Sequence, residues 1–257
     1  EAGIGEARAA LVADGVIVEA AIEPDDEGPR VGAVLPARLA AVIAAGGVTT
    51  TADGTEALLS PIPAGLSIGA TALVEITRMA IAERGRAKRA LARPAVARAR
   101  PGPGPDLLAR IAATGLPVRA LRAHEPDLLE AAGWSELLDE AARGEIAFPG
   151  GSLRLALTPA MALFDVDGTL GPAELAIAGA AAAGRAIRRL GLGGSIGIDL
   201  PTTPDRASRQ AASAVLDAAL PQPFERTAVN GFGFLQLVRR RTRASLPELI
   251  AADPAAA

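Results

Sequence analysis

Cysteine is absent from this chain. Disulfides, thiolate nucleophiles and cysteine-bound zinc are therefore excluded. The single histidine, His124, rules out any site built on two histidines of one chain. It lies in the polar stretch Arg122 to Asp127, which marks it as a surface side chain. Tyrosine is also absent, and aromatic residues make up only 2% of the sequence, so alanine and glycine must do most of the packing. The longest apolar run, Leu175 to Gly184, is too short and too alanine-rich to span a bilayer. The N-terminus lacks a basic-then-apolar signal pattern, and a cytoplasmic protein without membrane contact is expected. Since the chain opens on Glu1 rather than Met, residues upstream of it are also expected.

No strong net charge is present either. A balance of −3 provides no global field to attract nucleic acid. The cations are unevenly spread, however, and gather at Arg84–Arg100, Arg185–Arg189 and Arg239–Arg243. Half of the 257 residues are hydrophobic, enough for a sizeable core in one large or several small domains.

The pattern along the chain predicts a hairpin first. Ala7–Val12 and Val16–Ile22 flank Ala13-Asp14-Gly15, and Asp-Gly is a strong tight-turn signal. Residues 23–30 read as an acidic linker. Short strands at Gly32–Val42, Val48–Thr51, Ala57–Leu59 and Gly69–Ile76, separated by Gly and Pro turns, predict a small barrel. Pro94 to Pro105 is too rich in Pro and Gly for a helix or a central strand and reads as a linker or surface loop. Helices are expected over Asp106–Thr114, Pro126–Ala132 and Ser135–Arg143, with an extended Val118–Leu121 between them.

The last third is the most regular. Leu153, Leu155 and Leu157 alternate with polar or small residues, as in a half-buried strand. Met161–Val166 and Ser195–Ile198 are apolar runs, and Phe232–Val238 is a final strand. A helix is predicted from Pro172 to Arg189 by proline in its first turn and arginines in its last. Another is predicted from Asp205 to Leu220. Alternating strands and helices predict an α/β unit.

Two aspartates interrupt this apolar pattern at equivalent places. Asp165 and Asp199 are each expected at the C-terminal end of a strand, where α/β sheets collect ligands. Carboxylates that converge repel each other unless a proton or cation lies between them. Mg²⁺ or Mn²⁺, hard ions with oxygen ligands, suits such a pair. A metal there would position water and stabilise charge on a phosphodiester. Asp167, two residues on, shares the side of the strand with Asp165 and is a candidate supporting group. Taken singly, each aspartate would more often cap a turn or a helix.

Three segments carry a family resemblance. ELLDEAARGEIAFPGGSLRLALTPAMALFDVDG, LGLGGSIGIDL and ERTAVNGFGFLQLVRRRTRASL resemble, in order and spacing, the catalytic core of the ribonuclease E/G family. The resemblance implies an α+β / α/β multidomain chain. A ribonuclease H-like subdomain would cover 1–30 and 95–150, an OB-fold RNA-binding insertion 31–94, and a DNase I-like catalytic subdomain 151–250. It implies a Mg²⁺-dependent (or Mn²⁺-dependent) endoribonuclease that cuts single-stranded RNA and leaves 5′-phosphate products. The family's metal-binding aspartates fall on Asp165 and Asp199, its supporting asparagine on Asp167, and a glutamate of its last strand on Gln236. Lys88, Arg84 and Arg240 are the implied phosphate contacts. This sequence also departs from the pattern. Thr49–Thr51 and Leu58 stand where RNA-stacking rings are expected, and the domain that senses a 5′ phosphate is replaced by Pro94–Pro105. Without cysteine, zinc-bridged tetramers are not expected, although a homodimer through the catalytic subdomain is.

Two rival readings accompany this one. The octamer LFDVDGTL resembles the first motif of haloacid-dehalogenase-like phosphatases, with Asp165 as nucleophile and Asp167 as general acid/base. No lysine follows Lys88 to complete such a site. The other is a non-catalytic relative that binds RNA weakly and with strong salt dependence.

Overall fold

The computed structural model describes residues 1–25, 28–82, 87–122, 124–203 and 205–252. Two compact units make up the chain. The first comprises Glu1–Arg8, Ile22–Glu125 and Thr242–Ala244, and the second Ala9–Ala21, Pro126–Arg241 and Ser245–Ala257. Strands β1 (Glu6–Ala13) and β2 (Val16–Pro24) form a two-stranded sheet. Asp14 and Gly15 join them with φ of 51° and 77°. Both angles are positive, as a tight hairpin turn requires.

Five strands close into a barrel: β3 (Val34–Ile43), β4 (Gly46–Thr51), β5 (Glu56–Leu59), β6 (Thr71–Arg78) and β7 (Ala90–Pro94). Their order is β3-β4-β5-β7-β6, and β6 returns to pair with β3. The single parallel contact joins β5 to β7, which makes the barrel OB-fold-like. Its interior is filled by small side chains, Ala33, Ala37, Ala57, Ala90 and Ala92, with Leu59, Val74 and Ile76. Thr49 and Thr51, which stand where the resemblance would put RNA-stacking rings, are buried. The Thr49 hydroxyl donates to the Ala57 carbonyl at 3.1 Å. Alternation along β4 turns these two inward and leaves Thr50 half-exposed.

Helix α1 (Leu107–Ala112) completes the first unit, with Asp106 accepting from the Ala109 amide at 2.7 Å as its N-cap. The predicted linker over 23–30 begins differently from expectation. Strand β2 extends to Pro24, and the Glu23 carboxylate is buried, accepting from Arg30 at 2.8 Å and from Arg110. Val118–Leu121 joins no sheet, and His124 is exposed as predicted.

The second unit holds α2 (Leu128–Ala131), α3 (Trp134–Arg143), β8 (Glu145–Phe148), β9 (Gly151–Leu157), β10 (Ala162–Gly168), α4 (Pro172–Arg189), β11 (Gly194–Asp199), α5 (Arg206–Ala219), β12 (Phe224–Arg226), β13 (Phe234–Arg239) and α6 (Leu246–Ala252). Six strands form one sheet in the order β12-β13-β11-β10-β9-β8. Only β10 and β11 run parallel, because α4 carries the chain back over the sheet between them. One face of the sheet is apolar and buried: Leu153, Leu155, Ala162, Phe164, Val166, Ile196, Ile198, Leu235 and Leu237. Helix α4 meets this sheet with Leu175, Ala176, Gly179, Ala180 and Ala183 among its buried residues, and α5 packs on α4 around Leu216. Ion pairs to Glu19 at 3.3 Å and to Glu140 hold the arginines at the α4 C-terminus, so this basic cluster is largely structural. The chain as a whole is mixed α and β. No helix among the described residues is long and apolar enough to cross a membrane.

Candidate active site

The opposite face of the six-stranded sheet carries the candidate chemistry. Strand β10 alternates buried Ala162, Phe164 and Val166 with Leu163, Asp165 and Asp167, so both aspartates lie on the outer face and are exposed. Strand β11 buries Ile196 and Ile198 and exposes Asp199 as its last residue. In the parallel ladder Asp165 is the register partner of Asp199. Register partners on neighbouring parallel strands share a face, about 4.8 Å apart along the hydrogen-bonding direction. The structure thus brings the two predicted ligands side by side.

Asp165 is not at the end of its strand, as the sequence led us to expect. Antiparallel pairing with β9 continues through Val166–Leu153, Asp167–Ser152 and Gly168–Gly151. The parallel ladder alone ends at Asp165 and Asp199. The pair therefore sits on an open sheet face rather than in a crevice beyond the strand ends. Among the described residues, none of the three aspartates makes a hydrogen bond or ion pair through its side chain. They do not cap turns or helices, the bland role such residues most often play.

The neighbourhood is mixed. On β13, Phe234 lies opposite Asp199, and Gln236 opposite Gly197. The Gln236 amide donates to the Ser195 hydroxyl at 3.0 Å, so it is occupied within the sheet face. Phe234, Leu163 and Met161 close over Gly197 and form an apolar patch beside Asp199. On the other side, Asp167 lines a cleft of about 320 Å³ with Ser152, Arg154, Glu145, Asp139 and Arg143. Asp139 and Arg143 are paired with each other at 2.9 Å across one helical turn.

The implied phosphate contacts are scattered along the chain. Lys88 is half-buried in the first unit, its backbone bridged in both directions to Ile81. Arg84 lies outside the described residues. Arg240 is exposed just beyond β13 in the second unit. Its neighbours Arg239 and Arg241 are tied to the Leu192 carbonyl and to Glu248.

Two further residues were not anticipated. Arg154 projects from β9 directly opposite Asp165. The alternation around Leu153 and Leu155 already gave its outward direction, but the register that places it beside Asp165 appears only once the strands are paired. Phe232, in the turn before β13, is 84% exposed. Asn230 fixes that turn, its side-chain oxygen accepting from the Phe232 and Phe234 amides at 2.9 and 3.0 Å.

Among the described residues no group of three or more His, Asp or Glu is arranged to hold a metal. An ion here would rest on two carboxylates and water. That is an ordinary arrangement for Mg²⁺, which keeps several waters and commonly takes one or two protein carboxylates. Two adjacent, exposed, unpartnered carboxylates fit such an ion. Neither the protein-family models nor the curated proteins give a match to this chain.

Proposed function

We propose that the chain is a metal-dependent endoribonuclease acting on single-stranded RNA. The observation that carries the reading is the side-by-side placement of Asp165 and Asp199 on an open sheet face, with no protein partner among the described residues. Two like charges kept adjacent repel each other, and a cation joining them in use would relieve that repulsion. The resemblance to ribonuclease E/G sequences assigns these same two positions to the metal, independently of the geometry. The barrel would serve as the OB-fold RNA-binding element, the six-stranded sheet as the DNase I-like catalytic one, and residues 1–30 with 95–150 as the ribonuclease H-like part.

Asp165 and Asp199 would hold the ion. Mg²⁺ or Mn²⁺, when bound, supplies Lewis-acid stabilisation to the phosphodiester oxygens. Asp167 stands one side-chain step along the same strand face, toward the cleft. Its carboxylate oxygen would accept a hydrogen bond from the attacking water and orient it. The open face suits a single strand, which has to lay its backbone across the site. Lys88, Arg84 and Arg240 remain the proposed phosphate contacts elsewhere.

The test is cleavage of a labelled single-stranded RNA, with and without Mg²⁺, beside a phosphate monoester substrate. Asp165→Asn and Asp199→Asn should each lower RNA cleavage by more than about 100-fold, beyond the 10–100-fold cost of altering an outer partner. Phosphate release without RNA cleavage, indifferent to Asp199→Asn, would overturn the proposal in favour of the phosphatase. RNA retention without either activity would favour a binding protein.

A further inference from the structure

We infer that Arg154 is the cation that receives a phosphate of the RNA backbone at this site. The inference rests on the nuclease reading and deepens it. Strands β8, β9, β10 and β11 contain one Arg and no Lys, and that residue is Arg154. Its register partners are Asp165 on β10 and Glu145 on β8. Side chains directly opposite in an antiparallel pair have Cβ atoms about 4.5–5.5 Å apart, close enough for an arginine to pair with either carboxylate. It pairs with neither, and among the described residues its side chain has no hydrogen-bond or ion-pair partner. It is exposed and lines the cleft that Asp167 also lines.

The electrostatics of this face explain why a cation is needed there. Asp165, Asp167 and Asp199 all lie on it, and Glu145 flanks them. An approaching phosphodiester meets that negative charge before it reaches the paired aspartates. A guanidinium beside Asp165 offsets the repulsion locally, and its planar donors match two non-bridging phosphate oxygens at once. The cleft, about 320 Å³, falls at the small end of the roughly 300–1,000 Å³ range of ligand sites. It would therefore take one phosphate with its sugar rather than a longer stretch of strand. Arg143, the other cation lining it, is already paired to Asp139.

The rival role for Arg154 is a counter-charge that merely softens repulsion among the carboxylates. RNA binding separates the two. A short fluorescent single-stranded RNA is titrated with the full chain and with Arg154→Ala and Arg154→Lys, across a salt series, in EDTA and again in Mg²⁺. Cleavage is followed in parallel, and thermal midpoints check that each variant is folded. A phosphate contact predicts that Arg154→Ala weakens binding about tenfold and flattens the slope of log K against log salt by about 0.7, the value for one phosphate on a single strand. Arg154→Lys should keep the slope but recover only part of the affinity. In Mg²⁺, kcat/KM of Arg154→Ala should fall about 10–100-fold, chiefly through KM, as expected when binding shared by ground and transition states is lost. An unchanged slope with a shifted Mg²⁺ requirement would identify a counter-charge and overturn the inference. Wild-type cleavage with an indistinguishable Arg154→Ala would overturn it too, and leave the nuclease reading standing. RNA binding without cleavage would remove the nuclease reading, while the loss of slope would still support the contact. A wild-type chain that neither binds nor cleaves RNA overturns both.

Discussion

Glu23 is the penultimate residue of β2, its side chain only 7% exposed between Arg30 and Arg110, and it also accepts from the Leu107 amide at 3.3 Å. Burial opposes its ionisation, but the hydrogen bonds and charges of Arg110 and Arg30 together outweigh burial and hold the carboxyl below its ordinary value of 4.5. The folded chain therefore keeps this proton off at pH values where the unfolded chain takes it up. The stabilisation is complete above pH 4.5 and is lost as pH falls below that value through the folded-state pKa. Denaturation followed between pH 7 and pH 3 should show the decline, and Glu23→Gln should flatten it. At pH 7 the same variant leaves two part-buried arginines without their carboxylate and should cost about 3 kcal/mol, the lower end for breaking a buried pair. At the sheet face, Asp167 offers a different single-residue check. The family resemblance places an amide there, so Asp167→Asn should still cleave RNA within about tenfold of the wild type, whereas Asp167→Ala should lose about 10–100-fold. Equal losses in both variants would mean that the carboxylate itself is required.

Helix α4 sets the position of β10 from behind. A side chain added at Gly179 would meet Val166 Cγ1 at 2.4 Å and Cγ2 at 3.2 Å. Val166 sits between Asp165 and Asp167 but points to the helix side. Alanine in place of a helical glycine ordinarily gains about 1 kcal/mol. Overpacking a filled core costs about 1–3 kcal/mol, so Gly179→Ala should destabilise the chain on balance, seen as a lower thermal midpoint. Cleavage should fall along with stability, because relief of the clash must displace the strand that carries both aspartates. Much of this element was legible in advance. Pro172, Glu174 and the terminal arginines gave α4 its limits, and the apolar runs gave β10 and β11. Strand β7 was not legible, since Ala90–Pro94 is short, alanine-rich and ends in Arg93-Pro94, and only its neighbours β5 and β6 make it a strand. Helix α6 was hidden behind the arginine run; it is fixed by Glu248, which takes the Ser245 amide at 2.8 Å and pairs with Arg241. The shared face of Asp165 and Asp167 followed from a period of two, but the register that adds Asp199 and Arg154 comes from pairing between distant segments.

For the molecule as a whole, the RNA affinity that the proposed function requires would have few sources. With 26 basic and 29 acidic residues there is no net attraction to a polyanion. The barrel offers no rings: Thr49 and Thr51 are inside it, and Leu58 stands where an aromatic was expected. Trp134 and Phe164 are buried as well, and the other phenylalanines are half-buried, except Phe232. If the chain binds RNA as proposed, binding would divide into local arginine–phosphate contacts, which weaken with salt, and stacking on Phe232, which does not. Stacking of a base on an aromatic ring contributes about 1–3 kcal/mol. Phe232→Ala should therefore weaken single-stranded RNA binding by roughly 5–150-fold. The slope of log K against log salt should remain at the wild-type value, since no phosphate contact is lost. Because the ring is almost fully solvated and the turn is held by Asn230 rather than by the ring, the substitution should leave the thermal midpoint unchanged. The opposite pattern, a flattened slope with affinity preserved at high salt, would show that Phe232 only shapes the turn. Binding would then depend on charge alone, and near physiological salt it would be weak enough that cleavage required locally concentrated RNA.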